Sequence, residues 1–293
     1  ERKYTDLKPL YKVYQMKNDS EYAIFEVDLV NKKPLLPRNL YTKPNVMFIE
    51  DDTISNRSSY NFLQLIGNNN IGYKLIDDLF VEPNEYLQIK KSLEEKNIVL
   101  IIGDPGIGKT YTAVKLLHEY YKEGYKPIWV MGMSKEDREL QSAKIMNYEP
   151  NEREIVYFED PFGRTQFERR DDVLQIFLPL LDRIKNSHSK LIVTSRSTVF
   201  QSFKNEVPHS ELMNEYVEIL NIQKPSYSKA KLKQIYEKLC NVDTNNGLYE
   251  KWRNAIYRAI DTDQLITPIM INQLAGTLQT ITTDNQFWER ISL

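Results

Sequence analysis

The sequence predicts an α/β fold, a parallel sheet flanked by helices, and three observations carry that prediction. Short apolar runs recur along the middle of the chain from Asn97 onward. Helical patterns alternate with them, as βαβ units require. The first run leads straight into a glycine-rich loop, Gly103 to Thr110, and a helical pattern follows that loop.

The elements follow in order. Residues 1–78 read as a mixed α/β region of unassigned role. Within it, residues 22–30 alternate, with Ala23, Phe25, Val27 and Leu29 on one face of a predicted strand, and residues 45–50 form a second strand candidate. Asn68, Asn69, Asn70 and Gly72 mark turns. From Phe80 the pattern changes. Pro83 and Asn84 start a helix that carries Tyr86, Ile89 and Leu93 on one side. Residues 97–102 form a short run that carries no charge and is apolar after Asn97, as suits a strand buried on both faces. A helix then runs to about Lys122 and stops at Gly124. Strands are expected at 127–131, 154–158, 190–194 and 216–220, with a helix over 171–186. After Pro225 the chain reads as helical, over 228–240, 247–260 and 268–280. The expected division is therefore 1–78, a core over 79–224, and a helical subdomain over 225–293.

Composition narrows the function. Lys and Arg number 39 against 41 Asp and Glu, so no global positive field draws the chain to nucleic acid or anionic lipid, although a local basic groove stays open. One cysteine, Cys240, excludes an internal disulfide and fits a reducing compartment, so a cytoplasmic location is expected. No apolar run is long enough to span a bilayer, and the start of the chain lacks a signal-peptide pattern. The sequence opens at Glu1 rather than methionine, so a domain of a longer protein is expected, with effector or sensor domains outside it.

Gly103-Asp104-Pro105-Gly106-Ile107-Gly108-Lys109-Thr110 satisfies G-x-x-x-x-G-K-[ST] at every fixed position. Gly103, Gly106 and Gly108 keep side chains away from backbone N–H groups that wrap phosphate oxygens. The following helix, beginning with Thr110 and Tyr111, turns its N-terminus to the anion. Lys109 sets an ammonium on the β and γ phosphates, and the Thr110 hydroxyl is the predicted Mg²⁺ ligand. Residues 155–158 end in Glu159 and Asp160, carboxylates at a strand terminus expected to lie beside the loop's own strand. Glu159 is assigned to Mg²⁺ through water and Asp160 to the attacking water; the reverse assignment stays open. Residues 191–194 end in Ser195-Arg196, where Arg196 can sense the γ-phosphate or pair with the carboxylates. Arg164, Arg169 and Arg170 are finger candidates, or a solvated loop.

Together these residues resemble the STAND class of NTPases, within its novel STAND groups, which are related to AAA+ ATPases. Phe80-Val81-Glu82-Pro83 looks like the class's segment ahead of the P-loop strand, whose backbone near Val81 and Glu82 would line the adenine pocket. Phe158-Glu159-Asp160-Pro161-Phe162-Gly163 is similar to its acidic strand end, and Thr194-Ser195-Arg196 to its sensor strand. Thr267-Pro268 is similar in place to its Gly-x-Pro motif, with Ile266 where the glycine stands, and Pro268 would touch the nucleotide. The resemblance spans residues 79–280. It implies a P-loop NTPase sheet of the ASCE/AAA-like kind. The chain would be a switch that holds ATP or ADP with Mg²⁺, hydrolyses slowly, forms a homo-oligomer and drives an attached effector. Many prokaryotic members are linked to defence against phage. The alternatives are a loader-like AAA+ ATPase acting on DNA, a nucleotide-binding module with little turnover, and a small-molecule kinase. A loader should carry a second sensor arginine in the helical subdomain, where Arg253 and Arg258 lie without a clear motif around them. The strand after the acidic pair lacks a guanine-reading N/T-K-x-D, which favours ATP.

Overall fold

The computed structural model describes residues 10–18, 21–28, 33–34, 62–67, 71–131, 153–163, 171–207, 210–220, 225–242 and 246–291. The chain divides into two compact units, Glu1–Ser58 and Ser59–Leu293.

In the first unit, β1 (Leu10–Asn18) and β2 (Glu21–Asp28) pair antiparallel, and β3 (Lys33–Pro34) adds to β2. The predicted strand over 22–30 corresponds to β2. β1 escaped the sequence because residues 10–18 mix apolar with polar types and show no alternation. The candidate strand over 45–50 lies outside the described residues.

The second unit is built on a parallel sheet. Its strands are β4 (Ile98–Gly103), β5 (Lys126–Met131), β6 (Glu154–Glu159), β7 (Lys190–Arg196) and β8 (Val217–Leu220). They lie side by side in the order β5-β6-β7-β4-β8. Three short helical pieces precede the sheet: α1 (62–66), α2 (Ile71–Lys74) and α3 (Ile76–Leu79). The longer helices are α4 (Tyr86–Lys96), α5 (Lys109–Lys122), α6 (Asp171–Lys185) and α7 (Ser197–Glu206), then α8 (Lys229–Val242), α9 (Asn246–Asp261), α10 (Pro268–Thr277) and α11 (Asp284–Ile291). α7 was not predicted. It starts at the residue after β7 ends and has no side-chain N-cap bond, so no stop or start signal marks it.

Side chains alternate across a strand, and β4 shows why every position there must be apolar. Ile98, Leu100 and Ile102 pack with Phe177 and Leu181 of α6 and Val199 and Phe203 of α7. Val99 and Ile101 point the other way, into a core with Ile89 and Leu93 of α4, Val114 and Leu117 of α5, and Leu232, Trp252 and Leu274 from the C-terminal helices. Phe62, Ile66, Tyr73 and Ile76 join this second core, so the segment just before residue 79 packs within the second unit.

Local chemistry sets the helix ends. α5 stops where Gly124 takes φ 92; there the Gly124 N–H donates to Tyr121 O and the Tyr125 N–H to Tyr120 O, satisfying the last carbonyls. α4 stops at Asn97 with φ 62, and the Lys190 ammonium from the start of β7 donates to Leu93 O, Glu94 O and Asn97 Oδ1.

Asp77 of α3 ties the pre-sheet segment to α5. Lys115 donates to it at 2.6 Å, Lys122 donates to its other oxygen, and His118 Nδ1 lies 3.3 Å away. Burial works against the carboxylate, but the hydrogen bonds from Lys115 and Lys122, with His118 close by, hold it well below the usual carboxylate range. An unfolded aspartate titrates near ~3.9. The stabilisation is thus complete above that pH and is lost as pH falls toward the lower folded value. In urea titrations at stepped pH, wild type should lose its advantage over Asp77→Asn below about pH 4; a constant gap between the two would contradict this.

Candidate functional site

Because the sheet is parallel, the C-terminal ends of β4, β6 and β7 open on one edge, where ligands of open α/β sheets bind. The loop leaves β4 at Gly103, Glu159 ends β6, and Arg196 ends β7. The expectation that the acidic strand lies beside the loop's strand is corrected: β7 stands between β4 and β6. Two strand spacings put β6 about 10 Å from β4. That gap leaves room for a ligand between the loop and the carboxylates. Sequence periodicity carries no lateral order, so the misplacement could not be caught there. The register sets Glu159 opposite Thr194 and Gly103 opposite Arg196.

The loop backbone is crowded from three sides. A Cβ on Gly103 would meet Leu220 O at 2.6 Å; one on Gly106 would meet Ile269 Cγ2 at 2.2 Å; one on Gly108 would meet the Tyr227 hydroxyl at 2.8 Å. Gly106 (φ 78) and Gly108 (φ 96) also hold left-handed backbone that other residues adopt at a cost. Pro105 is exposed, Asp104 is partly covered, and Ile107 is buried beneath the loop. Lys109 is buried, and its ammonium donates to Gly103 O and Asp104 O, each at 2.9 Å. Burial lowers its pKa; the Asp160 carboxylate pulls it back up, and Arg196 lowers it further. Asp160 and Arg196 therefore both lie within electrostatic reach of Lys109.

Asp160 has φ 45, a left-handed conformation that a non-glycine residue seldom takes, and its N–H donates to Thr194 O at 3.1 Å. The Gly163 N–H returns to Asp160 O, closing the turn after β6. Arg164, Arg169 and Arg170 lie outside the described residues.

Beside the loop is a cavity of about 500 Å³. Val81, Gly106, Gly108, Lys109, Thr110, Tyr111 and Pro268, which the sequence assigns to the nucleotide, are among the residues that line it. The Glu82 side chain is exposed and, like Glu159, Asp160 and Arg196, is not part of the lining. The sequence reading missed Tyr73, Tyr227, Ile235, Leu239, Ile269 and Asn272. Of these only Ile269 had a signal, as the neighbour of Pro268. α10 starts here: the Thr267 side chain caps it, Pro268 takes the first turn, and the Ile269 N–H donates to Gly106 O at 3.4 Å. The C-terminal helices are anchored nearby as well. Lys238 donates to Phe80 O at 2.9 Å, and the Asn84 N–H to Ser226 O at 2.7 Å.

A loop of bare glycines, an ammonium at its end, a guanidinium on the neighbouring strand and carboxylates one strand beyond fit a nucleoside polyphosphate. A partly apolar cavity next to the loop suits the base. Among the described residues no group of three or more His, Cys, Asp or Glu could hold a metal without such a ligand. No described helix is long and apolar enough to cross a membrane.

The profile of the family described as Novel STAND NTPase 3 matches residues 80–242. A replication factor C small subunit from Saccharolobus solfataricus is 23% identical over 183 residues, covering 56% of this chain and 54% of that protein. The chain thus spans about half the length of that curated relative. Among solved structures, a DNA replication initiation factor aligns at 13% identity and TM-score 0.45 over 70% of this chain and 64% of that one. C. elegans PCH-2 aligns at 12% identity and TM-score 0.44, over 82% and 72%. At such values the two structural likenesses carry nothing about substrate or partner.

The crowding at Gly106 gives a stability test. In Gly106→Ala the left-handed φ alone costs about 1–2 kcal/mol, and overlap with Ile269 adds to it. Adding Ile269→Ala should recover the overlap part and leave the backbone part. Chemical denaturation of the single and double variants checks this; a double variant whose losses simply add would show that the two residues do not press on each other.

Proposed function

Since the chain belongs to the Novel STAND NTPase 3 family, we propose that it is a nucleotide-dependent switch: it binds ATP with Mg²⁺ and hydrolyses it slowly. Nucleotide state would control oligomerisation or an attached effector, with prokaryotic defence against phage as its setting and the cytoplasm as its location. The observation that carries this reading is the shared site. The phosphate loop and the N-terminus of α10 meet through Gly106 and Ile269, so closure of the C-terminal helices and occupancy of the loop are linked.

In this reading Val81 and Pro268, with Tyr111 below, enclose the base, and residues 225–293 act as a lid over the core. Lys109 trades its bonds to Gly103 O and Asp104 O for the β and γ phosphate oxygens, and the loop amides hold the rest. Thr110 and, through water, Glu159 would hold Mg²⁺, which when bound neutralises charge on the phosphate oxygens. Asp160 orients the water for in-line attack, and Arg196 reads the γ-phosphate. The left-handed turn at Asp160 fits a carboxylate aimed away from the strand.

A loader acting on DNA is the second reading, favoured by the relative named as a replication factor C small subunit. One experiment separates the two: nucleotide content of the purified chain, with turnover of wild type and Asp160→Ala. The switch reading expects co-purified ADP and slow turnover that Asp160→Ala lowers on the order of 10²-fold, with binding kept. Rapid, DNA-stimulated turnover from an empty site would sink it and support the loader.

A further inference from the structure

Tyr157 lies in the middle of β6, two residues before Glu159, and is fully buried. Its neighbours Ile155, Val156 and Phe158 are apolar, as a strand in this layer requires, so packing alone would accept phenylalanine here. The hydroxyl therefore needs its own explanation, because a buried hydroxyl is costly unless it is hydrogen-bonded. Its ring is braced at one edge of an aromatic row. Trp129 packs on it at 5.0 Å between centroids, Tyr73 on Trp129 at 5.5 Å, and Tyr111 on Tyr73 at 5.3 Å. Held that way, the hydroxyl has a fixed position 3.1 Å from Thr194 Oγ1, with one of the two donating. Burial raises the Tyr157 phenol well above its ordinary range, while hydrogen bonding to Thr194 and to the side chain of Thr110 offsets part of that rise. Thr194 in turn accepts the Asp160 N–H on its carbonyl.

We propose that Tyr157 is a positioning residue for the nucleotide site: its buried hydroxyl holds the Thr194 side chain, and through Thr194 it holds the turn that carries Asp160. The inference rests on the switch reading and deepens it. The buried hydroxyl thus stands behind the residue that would orient water, tying β6 to β7 just below the strand ends. Tyr157 is fully buried, so it acts through Thr194.

The test uses Tyr157→Phe, Thr194→Val and Thr194→Ser in the full chain. Three readouts are taken: binding of a fluorescent ATP analogue across a Mg²⁺ titration, the same binding in EDTA, and steady-state ATP turnover. Tyr157→Phe should lower kcat by about tenfold, one hydrogen bond's worth, with the Mg²⁺ concentration for half-maximal binding within about twofold of wild type. Binding in EDTA and KM should stay within about twofold. Thr194→Val should reproduce this pattern, and Thr194→Ser, which keeps the hydroxyl, should restore wild-type behaviour. If Tyr157→Phe and Thr194→Val lower only thermal stability, with kcat unmoved, the hydroxyl is structural and the proposal falls. A wild type that binds no nucleotide with Mg²⁺ would overturn the switch reading itself, and this inference with it.

Discussion

Three glycines of the phosphate loop have no room for a side chain, and each is crowded by a different part of the chain. Leu220 of β8 closes on Gly103, Ile269 of α10 on Gly106, and Tyr227, just ahead of α8, on Gly108. The rest of the second unit is arranged around that constraint. β4 delivers the loop from the interior of the sheet, and α5 continues from it with Lys109 buried at its start. The C-terminal helices reach the loop from the far end of the sequence. Their side chains share one core with α4 and α5, so the contact at Gly106 is backed by burial rather than by one hydrogen bond.

The edge that carries the candidate site follows from a second, simpler constraint. Parallel strands end together, so a carboxylate, a guanidinium and the loop arrive at one edge without special folding. The strand between β4 and β6 then matters chemically as well as topologically. β7 contributes Arg196 level with Gly103 and Thr194 level with Glu159, and Thr194 takes both the Tyr157 hydroxyl and the Asp160 N–H. A residue of the middle strand thus holds both the buried hydroxyl of β6 and the turn that follows it.

How much of this the sequence revealed depends on the range of the interaction. The loop, its strand and its helix were legible because every requirement is local: bare backbone, buried strand, lysine at the helix start. The acidic and arginine-tipped strand ends were legible for the same reason, and β5 to β8 were found within a residue or two of their ends. The order of strands was not, because hydrophobic period says which faces are covered and nothing about lateral neighbours. Tyr227 and Ile269 went unseen because they meet the loop across more than a hundred residues. Tyr73 went unseen because a tyrosine in a turn-rich stretch has no periodic partner. Tyr157 read as one more apolar strand position, since its hydroxyl acquires meaning only when Thr194 is beside it.

The central claim is that the phosphate loop and the C-terminal helices form one site. Hydrogen exchange with and without bound ADP tests it most directly. Exchange should slow together at 103–110, at 225–227 and at 267–271, because a nucleotide that fills the cavity draws α10 and the Tyr227 segment onto the loop. Slowing confined to 79–82 and 103–110, with the α10 N-terminus unchanged, would show that the core binds alone, and the account of a shared site would be wrong.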